Sequence, residues 1–264
     1  MREFKIRASA VSEIMGGATG LTEVQKAKLT ELQTRKADSS AKPLTPNMEN
    51  ELVELIYKRN NPELPQGAKT YLKSWLKREL YHRDEQWKNI VIEKGLQVEN
   101  DGIELVSEVY GLFNVEKNDE YFENDYMQGS PDVIHDGVIR DIKSSWNLQS
   151  FPMFEDKIPD NGYWWQLQQY MILTKHKQAS LDYVLIDTPK ALIEQDLKKL
   201  YYQSGGKAED WTPETYEQMY PNYRFDDIPA EKRVKSFTFE LDASVEDKII
   251  ERVKLCREYL KTLI

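Results

Sequence analysis

Apolar positions recur at helical spacing through the first third of the chain and at strand spacing in its middle. Over residues 22–36, Val24, Leu29 and Leu32 share a helical face, and basic residues gather late in the run, where they oppose the partial charge of a helix C-terminus. Residues 3–15 read as a lead-in and a helix start, with Ser9 or Ser12 as the candidate cap. Residues 37–46 form a linker or loop, and a helix follows Thr45-Pro46 over 47–59 until Asn60-Asn61-Pro62 breaks it. Residues 67–82 and 85–110 are predicted helices. The second carries Trp87, Ile90, Val91, Leu96, Ile103, Leu105 and Val106, and Gly95 and Gly102 within it suggest close packing.

Beyond residue 110 the period shortens. Residues 112–123 read as two short strands around a turn at Lys117-Asn118-Asp119, and residues 130–145 as a hairpin. A loop over 146–161 precedes a helix over 162–176 rich in Trp, Gln and Tyr. A buried strand over 180–187 and a helix over 190–203 follow. Residues 205–233 are expected to be irregular, 234–241 alternate as a half-buried strand, and a last helix over 244–263 carries Val245, Ile249, Val253, Cys256, Leu260 and Leu263 on one stripe. There is no internal repeat. The expected fold class is α/β.

Composition narrows the function classes. The chain has 264 residues, 40% hydrophobic and 31% charged, enough to bury a sizeable core. No run approaches the ~18 apolar residues of a membrane span, and the N-terminus lacks the apolar stretch of a secretory signal. The single cysteine, Cys256, leaves no intramolecular disulfide, cysteine-based zinc finger or four-cysteine cluster, so a cytoplasmic location is expected. The net charge of −9 is unevenly spread. Residues 1–94 hold 17 basic and 13 acidic residues, while 95–264 hold 19 and 32. Most of that acid is expected to be solvated surface.

The hairpin carries the chemistry. Asp136-Gly137 is a strong signal for a two-residue turn, because both positions need positive φ. That turn pairs His135 with Val138, Ile134 with Ile139 and Val133 with Arg140, and sets Asp132 against Asp141. Opposed residues have Cβ atoms only ~4.5–5.5 Å apart, so two carboxylates there repel unless something compensates. Lys143, two residues beyond Asp141, points to the same face. Two acids and a lysine on one strand face suit a hard divalent cation such as Mg²⁺, which keeps several waters and needs only one or two carboxylates and a carbonyl. The Ile142 carbonyl could serve. The same three residues also suit a surface cluster closing an ordinary hairpin.

Ser130-Pro131-Asp132 followed by Asp141-Ile142-Lys143 resembles the motif of the PD-(D/E)XK nucleases. Gly95-Leu96-Gln97-Val98-Glu99 resembles the upstream G-x-x-x-E element, and Gln166-Leu167-Gln168-Gln169-Tyr170 the Q-x-x-x-Y helix of the RecB-like branch. The set is most similar to the lambda-exonuclease/YqaJ-type viral recombinases, over about residues 1–190. The resemblance implies a restriction-endonuclease-like core, a mixed central sheet flanked by helices with a helical N-terminal region. It implies one nuclease domain over 1–264, with a helical part at 1–94, a catalytic core at 95–190 and a C-terminal extension at 191–264. Glu99, Asp132, Asp141 and the Ile142 carbonyl would bind Mg²⁺, with Mn²⁺ able to substitute. Lys143 would position the attacking water, and Gln166 would hold the site or the DNA backbone near it, with Tyr170 on the same helix face.

The resemblance further implies an exonuclease acting on linear duplex DNA in phage or bacterial recombination. Arg2, Ser9 and Ser130 would form a pocket for a terminal 5′ phosphate, with Arg7 as an alternative donor. A single-strand annealing protein as partner and a homo-oligomeric ring are likewise implied, and no membrane. An endonuclease on the same fold and a non-catalytic DNA-binding or phage structural protein are the alternatives.

Each element also has a plainer reading. Glu99 could be a solvated helix acid, and Gln166 and Tyr170 a packing face. Trp164 and Trp165 could stack on bases, though packing explains them as well. Lys69, Lys73, Lys77 and Arg78 share a helix and could track phosphates or face solvent. His82, His135 and His176 lack metal-ligand spacing and read as structural.

Overall fold

The computed structural model describes residues 2–17, 19–83, 89–207 and 212–264. Trp87 and the other positions between these ranges lie outside the described residues. The backbone falls into two compact units. One comprises Met1–Ile6, Ala10–Asp84 and Glu246–Ile264, the other Arg7–Ser9 and Glu85–Val245.

The first unit is helical: α1 (Val11–Met15), α2 (Glu23–Ala37), α3 (Pro46–Asn60) and α4 (Gln66–Tyr81), with the C-terminal helix that follows residue 244. Local chemistry sets the helix starts. Thr22 and Gln25 close a reciprocal capping box on α2, and Thr45 caps α3 with Pro46 in its first turn. α1 lacks the serine cap expected for it: Ala10 occupies that position, because a 3₁₀ turn over Ala8–Ala10 feeds the helix directly. Leu29 and Leu32 of α2 meet Leu52 and Leu55 of α3 in a leucine core. The C-terminal helix is tied in by two arginines. Arg252 donates to the carbonyls of Ile14 and Gly17, and Arg257 to that of Phe4 at 3.0 Å. Those bonds explain why residues 246–264 group with the N-terminal helices rather than with the segment before them.

The second unit holds α5 (Ile90–Gln97), α6 (Glu99–Tyr110), a hairpin of β-strands at Phe122–Glu123 and Met127–Gly129, and a four-stranded sheet. Counting the two-residue strand β1 (Ile6–Arg7), those hairpin strands are β2 and β3. The sheet consists of β4 (Val133–His135), β5 (Val138–Ser144), β6 (Gln178–Val184) and β7 (Val234–Glu240), in that spatial order. β5 and β6 are parallel and the outer pairs antiparallel. A parallel pair needs a crossover, and α7 (Asn161–Thr174) provides it. α8 (Lys190–Gln203), α9 (Pro213–Met219) and α10 (Val245–Lys261) complete the chain. This is the mixed sheet flanked by helices that the family resemblance implies.

The period of two along β5 and β6 sorts side chains between two layers. Ile139, Ala179, Leu181 and Tyr183 pack with Leu167, Tyr170 and Met171 of α7. Ile142 and Val184 pack with Val98, Ile103 and Val106 on the α6 side. A polar cluster shares that second face: Arg140 pairs with the fully buried Asp182 at 2.8 Å, and Ser180 and Ser236 donate to the same carboxylate.

Three expectations change. The helix read over 85–110 breaks at Val98, whose backbone leaves the helical region (φ −108°, ψ 15°) while its side chain is buried, so Glu99 opens a new helix. Residues 112–121 form no strand, because Asn118 sends its bonds to the 130–132 segment instead of to a ladder. Residues 213–219 are helical, with Pro213 in the first turn, where its missing N–H costs nothing.

The glycines separate by the space around them. Nothing lies within 4 Å of a Cβ built on Gly95, so the close packing expected there is absent. Gly102 lies against Ile142 and Val184, and a Cβ on Gly129 would come within 2.9 Å of both Ala8 and Tyr170. Gly95→Ala is therefore expected to stabilise the protein by about 0.5–1 kcal/mol, and Gly129→Ala to destabilise it by about 1–3 kcal/mol, both measured by urea unfolding.

Candidate active site

The Asp136-Gly137 turn has positive φ at both residues, 47° and 78°, and the register is the one the sequence predicts: His135 opposite Val138, Ile134 opposite Ile139, Val133 opposite Arg140. Asp132 stands one residue before this ladder. Its Oδ2 accepts the Ile142 amide at 2.7 Å, which folds the carboxylate back over β5 beside Asp141. Asp141 and Lys143 alternate onto the α7 side, and Lys143 Nζ lies 2.6 Å from Asp141 Oδ2. α7 completes the arrangement. Gln166 Nε2 donates to Asp141 Oδ1 and to the Tyr170 hydroxyl, both at 3.0 Å, so a residue pair one helical turn apart fixes the acid from behind.

Thus Asp132, Asp141, Lys143, Gln166 and Tyr170 come together on one side of the sheet. Glu99, in the first turn of α6, belongs to the same electrostatic cluster, because its charge acts on Asp132. Its carboxylate pairs with Lys117 at 2.7 Å. Ser130 lies beside the acids, but its hydroxyl donates to the Glu120 carbonyl and accepts from Asn118. Ser9 is exposed on the 3₁₀ turn, where its neighbour Ala8 abuts Gly129, next to Ser130. Arg2 belongs to the helical unit and grips Glu79 through a bidentate contact. Arg7 is exposed. Trp164 and Trp165 are partly exposed and pack edge to face against each other. On α4, Lys69 pairs with Glu63.

Other residues do work that the sequence does not single out. Tyr163 lies under Lys143, with Nζ 5.2 Å from the ring centroid, a cation–π contact that confines the ammonium. The fully buried Lys94 donates to the carbonyls of Ser145 and Trp146, where β5 ends, and burial lowers its pKa to about 8 against the pull of Asp187. Gln168 bridges the Glu240 carbonyl and the Asp242 amide. An aromatic three residues before Gln166 was the available signal for Tyr163. A lysine among apolar residues gave none for Lys94.

The donor set fits a hard cation. Asp141 Oδ2 is buried and makes its ion pair without a directed hydrogen bond, so a lone pair stays available. Among the described residues no group of three or more histidine, cysteine or acidic side chains is gathered closely enough to hold a metal ion, so the fit rests on the Asp132–Asp141 pair, and Mg²⁺ needs only one or two carboxylates.

Burial, then the charge of Asp141, pushes the pKa of Asp132 up to about 7, with Glu99 adding to the effect; Lys143 and the Ile142 amide oppose it. Burial works against the Lys143 ammonium, but Asp141 and Asp132 outweigh it and hold its pKa above the usual range. A carboxyl with a raised native pKa binds a proton that the unfolded chain releases, so its contribution to stability falls as pH rises from about 4 to about 7. Asn at 132 keeps an acceptor for the Ile142 amide without the charge. In chelator, Asp132→Asn is expected to be more stable than the parent at pH 8, on the order of 2 kcal/mol. The gain should fade toward pH 4, as read by chemical denaturation across pH.

No family model and no curated protein matches the chain. Solved structures do. A phage-related exonuclease from Haemophilus somnus 129PT is 25% identical, with a TM-score of 0.70, covering 99% of this chain and 96% of its own. The alkaline exonuclease LHK-Exo from Laribacter hongkongensis is 14% identical, with a TM-score of 0.51 over 98% of this chain and 88% of its own, and has also been solved with dAMP. The chain thus shares its fold with a phage-related exonuclease and with an alkaline exonuclease, and it carries the hairpin acids, the lysine and the glutamine helix on that fold.

Proposed function

We propose that the protein is a Mg²⁺-dependent DNA exonuclease that hydrolyses phosphodiester bonds of linear duplex DNA from an end. One observation carries this reading: Asp132, Asp141, Lys143 and Gln166 converge on one sheet face in a fold shared along 99% of the chain with a phage-related exonuclease. Asp132, Asp141, Glu99 and the Ile142 carbonyl would hold the ion. A bound divalent cation would lower the pKa of water and offset charge on the leaving 3′ oxygen.

The chain's own residues do the rest. Lys143 stays an ammonium, held so by Asp141 and Asp132 against the cost of burial. It therefore donates hydrogen bonds to the attacking water or to a phosphate oxygen and does not remove the proton itself. Gln166 keeps Asp141 Oδ1 occupied, which aims Oδ2 at Lys143. Tyr170, wedged against Gly129, accepts from Gln166 and fixes that amide in turn. Tyr163 limits where the ammonium can swing. Ser9 and Ser130 are the proposed contacts of a terminal 5′ phosphate, with Arg7 as the cationic donor. A homo-oligomeric ring and a single-strand annealing partner belong to the same reading. No described helix is long and apolar enough to cross a membrane.

Digestion of end-labelled linear duplex beside a covalently closed circle tests the proposal. The linear DNA should be degraded with Mg²⁺ and spared in chelator, and the circle should survive. Cleavage of the circle would make the protein an endonuclease. Lys143→Ala should lower kcat by about 10²–10³-fold with an unchanged circular dichroism spectrum. Full Mg²⁺-dependent activity in that variant would remove Lys143 from the reaction.

A further inference from the structure

Lys117 is the second cation at the acid cluster. Its Nζ lies 2.7 Å from Glu99 Oε2, and its side chain is 45% exposed against 20% for Glu99. An exposed ion pair of this kind is ordinarily worth little and its geometry is loose. Here the backbone beneath it is fixed. The Asn118 amide donates to the Asp132 carbonyl at 2.8 Å. The Asn118 side-chain amide reaches the carbonyls of Glu120 and Pro131 and the Ser130 hydroxyl, all within 3.1 Å. Ser130 closes the stitch by donating to the Glu120 carbonyl at 2.7 Å. The segment bearing Lys117 is thus laced to the segment bearing Asp132, and the half-exposed lysine is held beside Glu99.

Charge balance gives that placement a purpose. Glu99, Asp132 and Asp141, when ionised, carry three negative charges, and Lys143 and Lys117 return two. A divalent ion would leave the five groups with one positive charge in excess, which a single phosphodiester cancels. The Lys117 ammonium sits on Glu99 Oε2, so a metal ion approaching that carboxylate would compete with it for the same negative charge. We propose that Lys117 neutralises Glu99 before the ion arrives and turns to a phosphate of the DNA once the ion takes Glu99. This rests on the nuclease reading, and it makes Lys117 a substrate-contacting residue exchanged between two partners.

The two roles predict effects of opposite sign. In Lys117→Gln, calorimetric titration with Mn²⁺ in the absence of DNA should show about 3–10-fold tighter binding, because a competing cation is gone. Binding of a short linear duplex, with Ca²⁺ in place of Mg²⁺ to limit cleavage, should weaken by a similar factor. The slope of log affinity on log salt should become shallower by about 1. Lys117→Arg should restore the slope. Damage to the fold would weaken both ligands together. Unchanged or weaker Mn²⁺ binding in Lys117→Gln, or an unchanged salt slope, would overturn the proposal. Wild-type protein that binds no Mn²⁺ and degrades no DNA would instead remove the nuclease reading beneath it.

Discussion

Two carboxylates held against each other on a buried sheet face are the constraint to which the rest of the catalytic unit answers. Burial and Asp141 push the Asp132 pKa to about 7, so the hairpin keeps a charge arrangement that the isolated fold would avoid. Nearly every polar contact nearby addresses that cost. Lys143 neutralises Asp141, the Ile142 amide steadies Asp132, Gln166 takes one Asp141 oxygen, and Lys117 answers Glu99. What these contacts leave over is the acceptor capacity of Asp141 Oδ2, which the proposed cation would use.

The architecture makes such a site tolerable by separating it from the core. Alternation along β5 sends Asp141 and Lys143 to the α7 side and Arg140 and Ile142 to the α6 side. The Arg140–Asp182 cluster on the second face is fully partnered and stitches β5, β6 and β7 together. One polar cluster therefore holds crowded acids, and the other carries satisfied bonds. Lys94 holds the β5 exit by its backbone carbonyls just beyond Lys143, where a shift of the strand would misplace the ammonium.

Much of this was legible in the chain because it is local. The Asp136-Gly137 turn dictates the hairpin register as far as Val133 and Arg140, and the bond from the Ile142 amide then sets Asp132, one residue before the ladder, beside Asp141. The spacing of Gln166 and Tyr170 puts both on one helix face. What stayed hidden depends on tertiary partners. The break at Val98 follows from burial of that side chain, not from helix propensity. Asn118 looked like a turn residue, and its role emerges only when residues 130–132 arrive beside it. Gly95 and Gly102 looked alike in sequence, and only the sheet beneath Gly102 separates them. The arginines of the last helix find carbonyls more than two hundred residues away, a pairing no local pattern encodes.

The crowded acid is best tested by counting the protons a metal ion expels. Titration of the wild-type protein with Mn²⁺, in buffers of different ionisation enthalpy, gives that number directly. With burial and Asp141 raising the Asp132 pKa to about 7, binding at pH 7 should release protons, and the release should diminish toward pH 9. Binding without proton release at pH 7, or no binding at either pH, would contradict the account.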